Sequence, residues 1–574
     1  MANLEDILRQ RLETAFSAVS AEAVDPAVRR SQHADFQSDA ALALARRSGT
    51  NPRSLAERVV AAADLDDMCA AVEVSGPGFI NLTVANGTLG DLLAEACADE
   101  RLGVAASSNP EVVTIDYSAP NAAKEMHVGH LRSTIIGDAA ARLLEWQGHT
   151  VIRQNHIGEW GTPFGMLIEH LLDVGEAEAA HELSVGDLNG FYQAARRKFD
   201  ADDAFKYRAR RRVVALQSGD PTTRRLWEIL IGESKKYFAA IYARLDVLLT
   251  DEDYFGESYY NDQLPSVVEE LDALGMIQVS DGAKCVFPQG FSARDGGPLP
   301  LIVQKSDGGY GYMTTDLATI RRRIKVLGAT RLLYVVGLPQ RQHFEMIYET
   351  AREAGWLVLP VKTEHVGHGS VLGTDGKMLR TREGVSVKLA DLLDEAILRA
   401  TALIEAKNPA LDDAQRAAVA KAVGIGAVKY ADLSTDRVKD YVFDLDRMLA
   451  FEGNTAPYLQ YARARICSIF RRSGETPETN PKRVLIAEPA ERALAIELLG
   501  FGLVVKEVEK SLEFHKLAHY LFVLASTFTT FYENCPVLKA EGEIRTSRLV
   551  LCNMTARTLH IGLSLLGIES PDQM

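Results

Sequence analysis

The chain has 574 residues, 47% of them hydrophobic, and a formal net charge of −15. That length is too great for one ordinary core and predicts three or more compact units. The acidic balance excludes a uniformly basic nucleic-acid coat, because such proteins gain affinity by releasing counterions from phosphates, and the scattered cysteines (Cys69, Cys97, Cys285, Cys467, Cys535, Cys552) suggest neither a zinc knuckle nor a disulfide framework.

The opening stretch MANLEDILRQRLETAFSAV has the pattern of a charged amphipathic helix, with Leu4, Ile7, Leu8, Leu12 and Phe16 on one side. No signal-peptide core follows it and no apolar run approaches membrane-spanning length, so a cytoplasmic location with reduced thiols and no membrane partner is expected. Residues up to about 105 alternate helix patterns with one strand-like segment, GPGFINLTV, and end in the polar punctuation ASSNPE. EVVTIDYS is a β-branched strand candidate. After it come the loop SAPNAAKEMHVGH, a helix from about Leu131 to Trp146 and a second strand in TVIRQNH. Strand, loop, helix and strand at this spacing predict a right-handed parallel crossover. From about 168 to 300 long helices are broken by GES and GDP turns and then by QGFSARDGGPLPLIV, which reads as an insertion in the parallel sheet. RLLYVVGLP (Arg331 to Pro339) is another buried-strand candidate, KTEHVGHGSVLG runs into the basic turn TDGKMLRTREG, and the pattern beyond about 390 is helical. Two basic stretches, Lys206–Arg208–Arg210–Arg211–Arg212 and Arg321–Arg322–Arg323–Lys325, are either local anion-binding surfaces or solvated helix faces.

Three constellations carry chemistry. His127 and His130 flank Gly129 where the first helix opens after the first strand of a parallel sheet, the place where open α/β folds bind nucleotides. A zinc site is the alternative, but it needs a third and fourth ligand, and none stands at suitable spacing. The glycine admits a base or phosphate close to the backbone, and imidazole donors meet phosphoryl oxygens whose charge grows during displacement. GxGxxG and GxxxxGK[ST] are both missing, which disfavours an oxidoreductase and a P-loop. GKMLRTREG places Lys377, Arg380 and Arg382 on a turn of small residues suited to closing on pyrophosphate, or else simply exposed. In GYMTTDLATI, Tyr312 and Asp316 lie one helical turn apart, so Asp316 either holds a cationic substrate or serves as a cap or salt-bridge residue. Histidines at the first crossover and a late basic loop together point to adenylyl transfer from ATP.

Over nearly its whole length the chain resembles the arginyl-tRNA synthetase family, class I aminoacyl-tRNA synthetases of bacterial type. The matching stretches stand in family order: SAPNAAKEMHVGHLRSTIIGD, NHIGEWGTPFG, VKLADLLDEA and FEGNTAPYLQYARARI. The resemblance implies an α/β fold with a Rossmann-like parallel-sheet catalytic domain at residues 107–390, carrying a helical insertion at about 168–300. It also implies an α+β N-terminal domain binding the tRNA elbow at 1–106, a stem-contact helical region at 391–446 and an all-α anticodon-binding domain at 447–574. The implied activity is the ATP-dependent activation of L-arginine and its transfer to the 3′-terminal adenosine of tRNA(Arg), with Mg2+ accompanying ATP and the protein a monomer. By position, His127, Gly129 and His130 would contact ATP, and Lys124 would supply the charge that this family often lacks in its second signature loop, where Lys377, Arg380 and Arg382 also meet ATP. Asn121 and Gln340 would hold the α-amino and carboxylate end of arginine, Asp116, Tyr312 and Asp316 the guanidinium, and Trp160 would wall the site. Phe79 and Asn81 would read a D-loop base, and Tyr458 would face the anticodon arm. The chain departs from the family at Ala119, where some members have serine, and at Glu159, where many have aspartate; little effect is expected from the second. A non-catalytic RNA-binding paralogue and an oxidoreductase remain the competing classes, and the intact motif residues weigh against the first.

Overall fold

The computed structural model describes residues 4–175, 188–293, 295–379 and 387–574. Packing divides the chain into two units: Met1–Ser108 with Thr401–Tyr430 and Met448–Met574, and Asn109–Ala400 with Ala431–Arg447. The N-terminal segment therefore groups with the C-terminal helices.

In the first unit, Leu4, Leu8, Leu12 and Phe16 of the helix Leu4–Val19 are buried, as their spacing predicts, while Ile7 is partly exposed. A four-stranded antiparallel sheet runs in the order Arg29–Arg30, Phe36–Ser38, Phe79–Val84, Cys69–Ser75. The sequence pattern indicated only the third of these. The first two are too short for a period to show, and Cys69–Ser75 begins CAA, where two small residues hide the alternation of buried and exposed positions. Five long helices follow from Ala456 to Leu565, packed through Leu459, Leu494, Leu517, Leu521, Val550 and Leu559.

The second unit is built on four parallel strands in the spatial order Lys362–His365, Arg331–Tyr334, Val112–Asp116, Thr150–Gln154. The two inner strands are buried over most of their length and are rich in Val, Ile and Leu, as strands covered on both faces must be. Register pairs Tyr334 with Asp116 and Asp116 with Gln154. Chain order reverses between Val112–Asp116 and Arg331–Tyr334, so their carboxyl ends open the crevice in which such sheets bind ligands. The helix after the first of them, Val128–Trp146, starts three residues earlier than expected. The insertion contains the helices Leu188–Ala201, Asp203–Gln217 and Pro221–Leu245, and a small antiparallel sheet, Gln278–Ser280, Ala283–Val286 and Leu301–Gln304, flanks the Gly/Pro-rich passage, where the sequence pattern indicated no strands. Val371–Leu372, just before the basic turn, pairs in parallel with Tyr441–Val442. Among the described residues, no helix is long and apolar enough to cross a membrane.

Candidate active site

The stretch Ser118–Lys124 leaves the first sheet strand through three left-handed non-glycine residues, Ser118, Ala119 and Ala123. Such conformations cost of order 1 kcal/mol or more each and persist only where the surroundings over-determine them. Here the surroundings do so. The Ser118 amide donates to Ser133 Oγ (3.0 Å), its hydroxyl meets Thr134 and Tyr242 (2.9 and 2.7 Å), the Ala119 amide donates to Asn155 Oδ1 (3.0 Å), and the Ala123 amide donates to Ser234 Oγ (2.8 Å). Asn121 is held by a parallel bridge to Gly158 of the NHIGEWG loop, where a Cβ would stand 2.4 Å from Asn121 Oδ1.

His127 caps the helix Val128–Trp146. The Gly129 amide donates to His127 Nδ1 (3.0 Å), and the His127 amide donates to His130 Nδ1 (3.1 Å), with the two ring centres 4.0 Å apart. An Nδ1 that accepts from a backbone amide carries no proton, so each neutral ring bears its hydrogen on Nε2. Burial, reinforced by the Lys124 charge, lowers the His127 pKa; burial and then His127 bring His130 down to about 4. Both rings are therefore neutral Nε2–H donors at pH 7. The amides of the first turn are already engaged, that of Val128 with the Val387 carbonyl (3.0 Å) and that of His130 with the His127 carbonyl (2.9 Å). At this helix end the uncommitted donors are accordingly the imidazole Nε2–H groups and not these amides. The structure also corrects the role read for Gly129: the space over its Cα is filled by the His127 ring, since a Cβ would lie 2.8 Å from Cε1 and 2.9 Å from Nδ1.

The segment after the basic turn returns to this motif. Val387 accepts from the Val128 amide, the Leu389 amide donates to the Met126 carbonyl (2.9 Å), and Lys388 pairs with Glu125 at 2.9 Å. Lys377 is exposed on the turn, its amide on Asp375 Oδ1 at 3.0 Å; Arg380 and Arg382 lie outside the described residues. Lys124 places its ammonium 4.3 Å from the centre of the Tyr192 ring.

Tyr312 and Asp316 stand in the first turns of the helix Tyr312–Lys325, and both face His343. His343 Nε2 is 2.6 Å from Asp316 Oδ2, and the rings of Tyr312 and His343 meet edge-on at 5.1 Å. Gln340 is exposed at the start of the helix that carries His343. Trp160 packs edge-on against Trp227 at 5.5 Å, donates its amide to Glu257 Oε2 (3.0 Å), and with Tyr312, Glu257 and Lys305 lines a cleft of about 580 Å3. Glu159 is buried, bonded to Ser258 and raised in pKa by that burial, so the extra methylene relative to aspartate is taken up inside the protein. A smaller apolar cavity of about 120 Å3, lined by Leu4, Phe36, Ile496 and Tyr520 in the first unit, contains none of the candidate residues.

Several expectations are revised. Asp116, expected at a substrate guanidinium, is paired with the chain's own Arg323, whose fully buried Nη2 lies 2.7 Å from Asp116 Oδ2. Arg321 and Lys325 pair with Glu270, and Arg322 lies over Phe255 and Tyr259, so the cations of the second basic stretch are taken up by partners within the chain. In the first stretch Arg208 and Arg212 pair with Glu169, leaving Lys206, Arg210 and Arg211 away from that carboxylate. Asn81 is buried, accepting from Gln37 Nε2 (2.7 Å) and donating to Ser75 Oγ (2.9 Å), so its amide is committed across the sheet; neighbouring Phe79 is half-buried. Tyr458 is half-buried on the helix Ala456–Ser473, its ring 5.7 Å from Phe522. The sequence did not point to His343 or Glu257, and it showed Arg323 only as one member of a basic run. His343 had one visible signal, its place three residues after Gln340.

Paired neutral imidazoles at the first crossover of a parallel sheet, tied by a short ladder to the segment after a basic turn, define a class I aminoacyl-tRNA synthetase catalytic unit. The chain matches the family described as tRNA synthetases class I (R), catalytic domain, over residues 92–445. It also matches the Arginyl tRNA synthetase N terminal domain over 2–84 and the DALR anticodon binding domain over 459–574. It is 56% identical over 580 residues to an arginine–tRNA ligase of Thermobifida fusca, covering all of both chains, and 53% identical to one of Frankia casuarinae, covering 96% of this chain and 95% of that one. Among solved structures it superposes on arginyl-tRNA synthetases of Plasmodium falciparum (TM-score 0.85, 28% identity) and Thermus thermophilus (TM-score 0.83, 25% identity), each covering all of both chains. The chain belongs to the arginyl-tRNA synthetase family.

Proposed function

We propose that this chain activates L-arginine with ATP and transfers it to the 3′-terminal adenosine of tRNA(Arg), and that the residues assembled around the sheet crevice perform both steps. In the first step an arginine carboxylate oxygen bonds to the α-phosphorus, the bond to the bridging oxygen breaks, and pyrophosphate leaves with its electron pair. In the second, the terminal ribose hydroxyl attacks the arginyl carbonyl, loses its proton, and AMP departs. Negative charge grows on the phosphoryl oxygens in the first step, and the Nε2–H groups of His127 and His130, fixed in direction by their Nδ1 bonds, stabilise it without reorganising. This pinned pair of donors is the observation that carries the reading. Lys124 adds a positive charge beside them, and Lys377, Arg380 and Arg382 close on the departing pyrophosphate. Mg2+ enters as the counter-ion of ATP.

For the amino acid, Asp316 meets the guanidinium, Tyr312 and Trp160 border it, and Asn121 and Gln340 hold the α-amino and carboxylate end. Asp116, paired with Arg323, contributes to the stability of the sheet strand that leads into the site. Phe79 and Tyr458 contact the tRNA, and Asn81 does so after exchanging its bonds to Gln37 and Ser75. A cytoplasmic monomer fits these roles. Charging of tRNA with radiolabelled arginine tests the activity directly, and the same assay without tRNA, followed by pyrophosphate exchange, tests whether activation waits for the RNA. Failure to charge any arginine-accepting tRNA would sink the proposal.

A further inference from the structure

We infer that His343 is a positioning residue for arginine selection, acting through Asp316 and Tyr312; the inference rests on the reading that Asp316 meets the substrate guanidinium. A carboxylate can only accept hydrogen bonds, so the 2.6 Å contact requires that His343 Nε2 carry the hydrogen. That bond fixes the rotation of a carboxylate whose side chain is 13% exposed, against an imidazole 15% exposed. It engages Oδ2 alone. Oδ1 has no partner among the described residues and stays open to a second donor. The same imidazole meets the Tyr312 ring edge-on at 5.1 Å and rests against Phe344 at the same distance, so one side chain sets the angle of both the carboxylate and the phenol.

The two aspartates expected around the guanidinium differ in their partners. Asp116 faces the permanent charge of Arg323, which cancels its own. Asp316 faces an imidazole, which orients a carboxylate without a fixed opposing charge. Of these two aspartates Asp316 is therefore the one left to attract a cationic substrate, beside the cleft-lining Glu257, and His343 holds its carboxylate rigidly. Preorganisation of this kind lowers the ordering cost of binding, so its loss falls on substrate affinity.

The test uses the full-length protein in the charging assay. H343F keeps a ring beside Tyr312 but removes the donor, and H343Q restores a donor at a similar reach. H343F should raise the KM for arginine about tenfold or more with the KM for ATP and Tm little changed, the size expected for losing one charge-assisted hydrogen bond, and H343Q should return most of it. D316N should raise the arginine KM further, and the D316N/H343F double variant should be no worse than D316N alone, because both act through one carboxylate. If D316N raises the arginine KM while H343F leaves it unchanged, the role of His343 is overturned and the pocket stands. If D316N itself changes nothing, the pocket reading falls and takes the inference with it. Equal losses of Tm and kcat in H343F and H343Q, without a split between arginine and ATP, mark His343 as structural only and likewise overturn it.

Discussion

His127 and His130 each commit one ring nitrogen to the backbone and keep the other as a donor, and Gly129 is what lets the His127 ring lie where it does. His127→Ala and His130→Ala should each lower the rate of adenylate formation by roughly a hundredfold, the usual loss for a preorganised oxyanion donor, with arginine affinity nearly unchanged. Gly129→Ala should copy the His127→Ala defect, because its methyl displaces the ring, while alanine's higher helix propensity keeps Tm from falling. Pyrophosphate exchange and a melting curve on the three variants decide this, and a Gly129→Ala protein of full activity would refute the account of that position. The histidines were legible in the sequence because a short motif at fixed spacing folds onto itself. Partners far apart in the chain were not. Nothing local marks Arg323 as the mate of Asp116, 207 residues away. That pairing has its own consequence. Asp116→Asn strips a buried guanidinium of its counter-charge and should cost about 3 kcal/mol or more of stability. Thermal melting should register it more strongly than the arginine KM does, the reverse of the pattern expected for Asp316→Asn.

At the scale of elements, two loops that follow neighbouring sheet strands form one wall. Asn121 of the first loop and Gly158 of the second are joined by a bridge, and the Ala122 amide donates to the Gly158 carbonyl at 2.9 Å. Gly158→Ala would bring a methyl within 2.4 Å of Asn121 Oδ1, the far end of a short side chain on an exposed residue. The amide should turn away before the backbone shifts. Arginine KM should rise about tenfold, on the order of one lost polar contact, while Tm holds; an unchanged KM would remove Asn121 from the arginine site. Element type was readable where a period runs for three turns or more, as in Val128–Trp146. It was not readable where strands have only two or three residues, as in Phe36–Ser38, or where, as between Gly290 and Leu301, glycine and proline punctuate the chain and mask a neighbouring ladder.

For the whole molecule, net charge misleads in both directions. An acidic chain of −15 still gathers a few cationic and neutral donors around its sheet crevice, and several of its arginines are consumed by internal pairs. Acid stability follows from the same burial. His130, His170 and His368 are each brought to about 4 by burial, against an ordinary value of 6.5 in the unfolded chain. Above pH 6.5 both states are neutral and these groups contribute nothing to the pH dependence. As pH falls from 6.5 towards 4 the unfolded chain takes up protons that the folded chain refuses, so stability declines across that window. The carboxyls of Glu159, Glu257 and Asp432, raised by burial, act in the opposite sense: as pH falls the folded state protonates them first. A single wild-type curve therefore mixes two signs, and a variant that deletes one histidine separates them. His170 serves best, being buried with its ring 4.8 Å from Phe191 and away from the histidine motif. His170→Leu should melt close to wild type at pH 8 and become relatively more stable at pH 5 by about 2 kcal/mol, the linkage expected for a group lowered to about 4. Parallel melting curves of the two proteins between pH 8 and pH 5 would show that His170 titrates normally in the folded state.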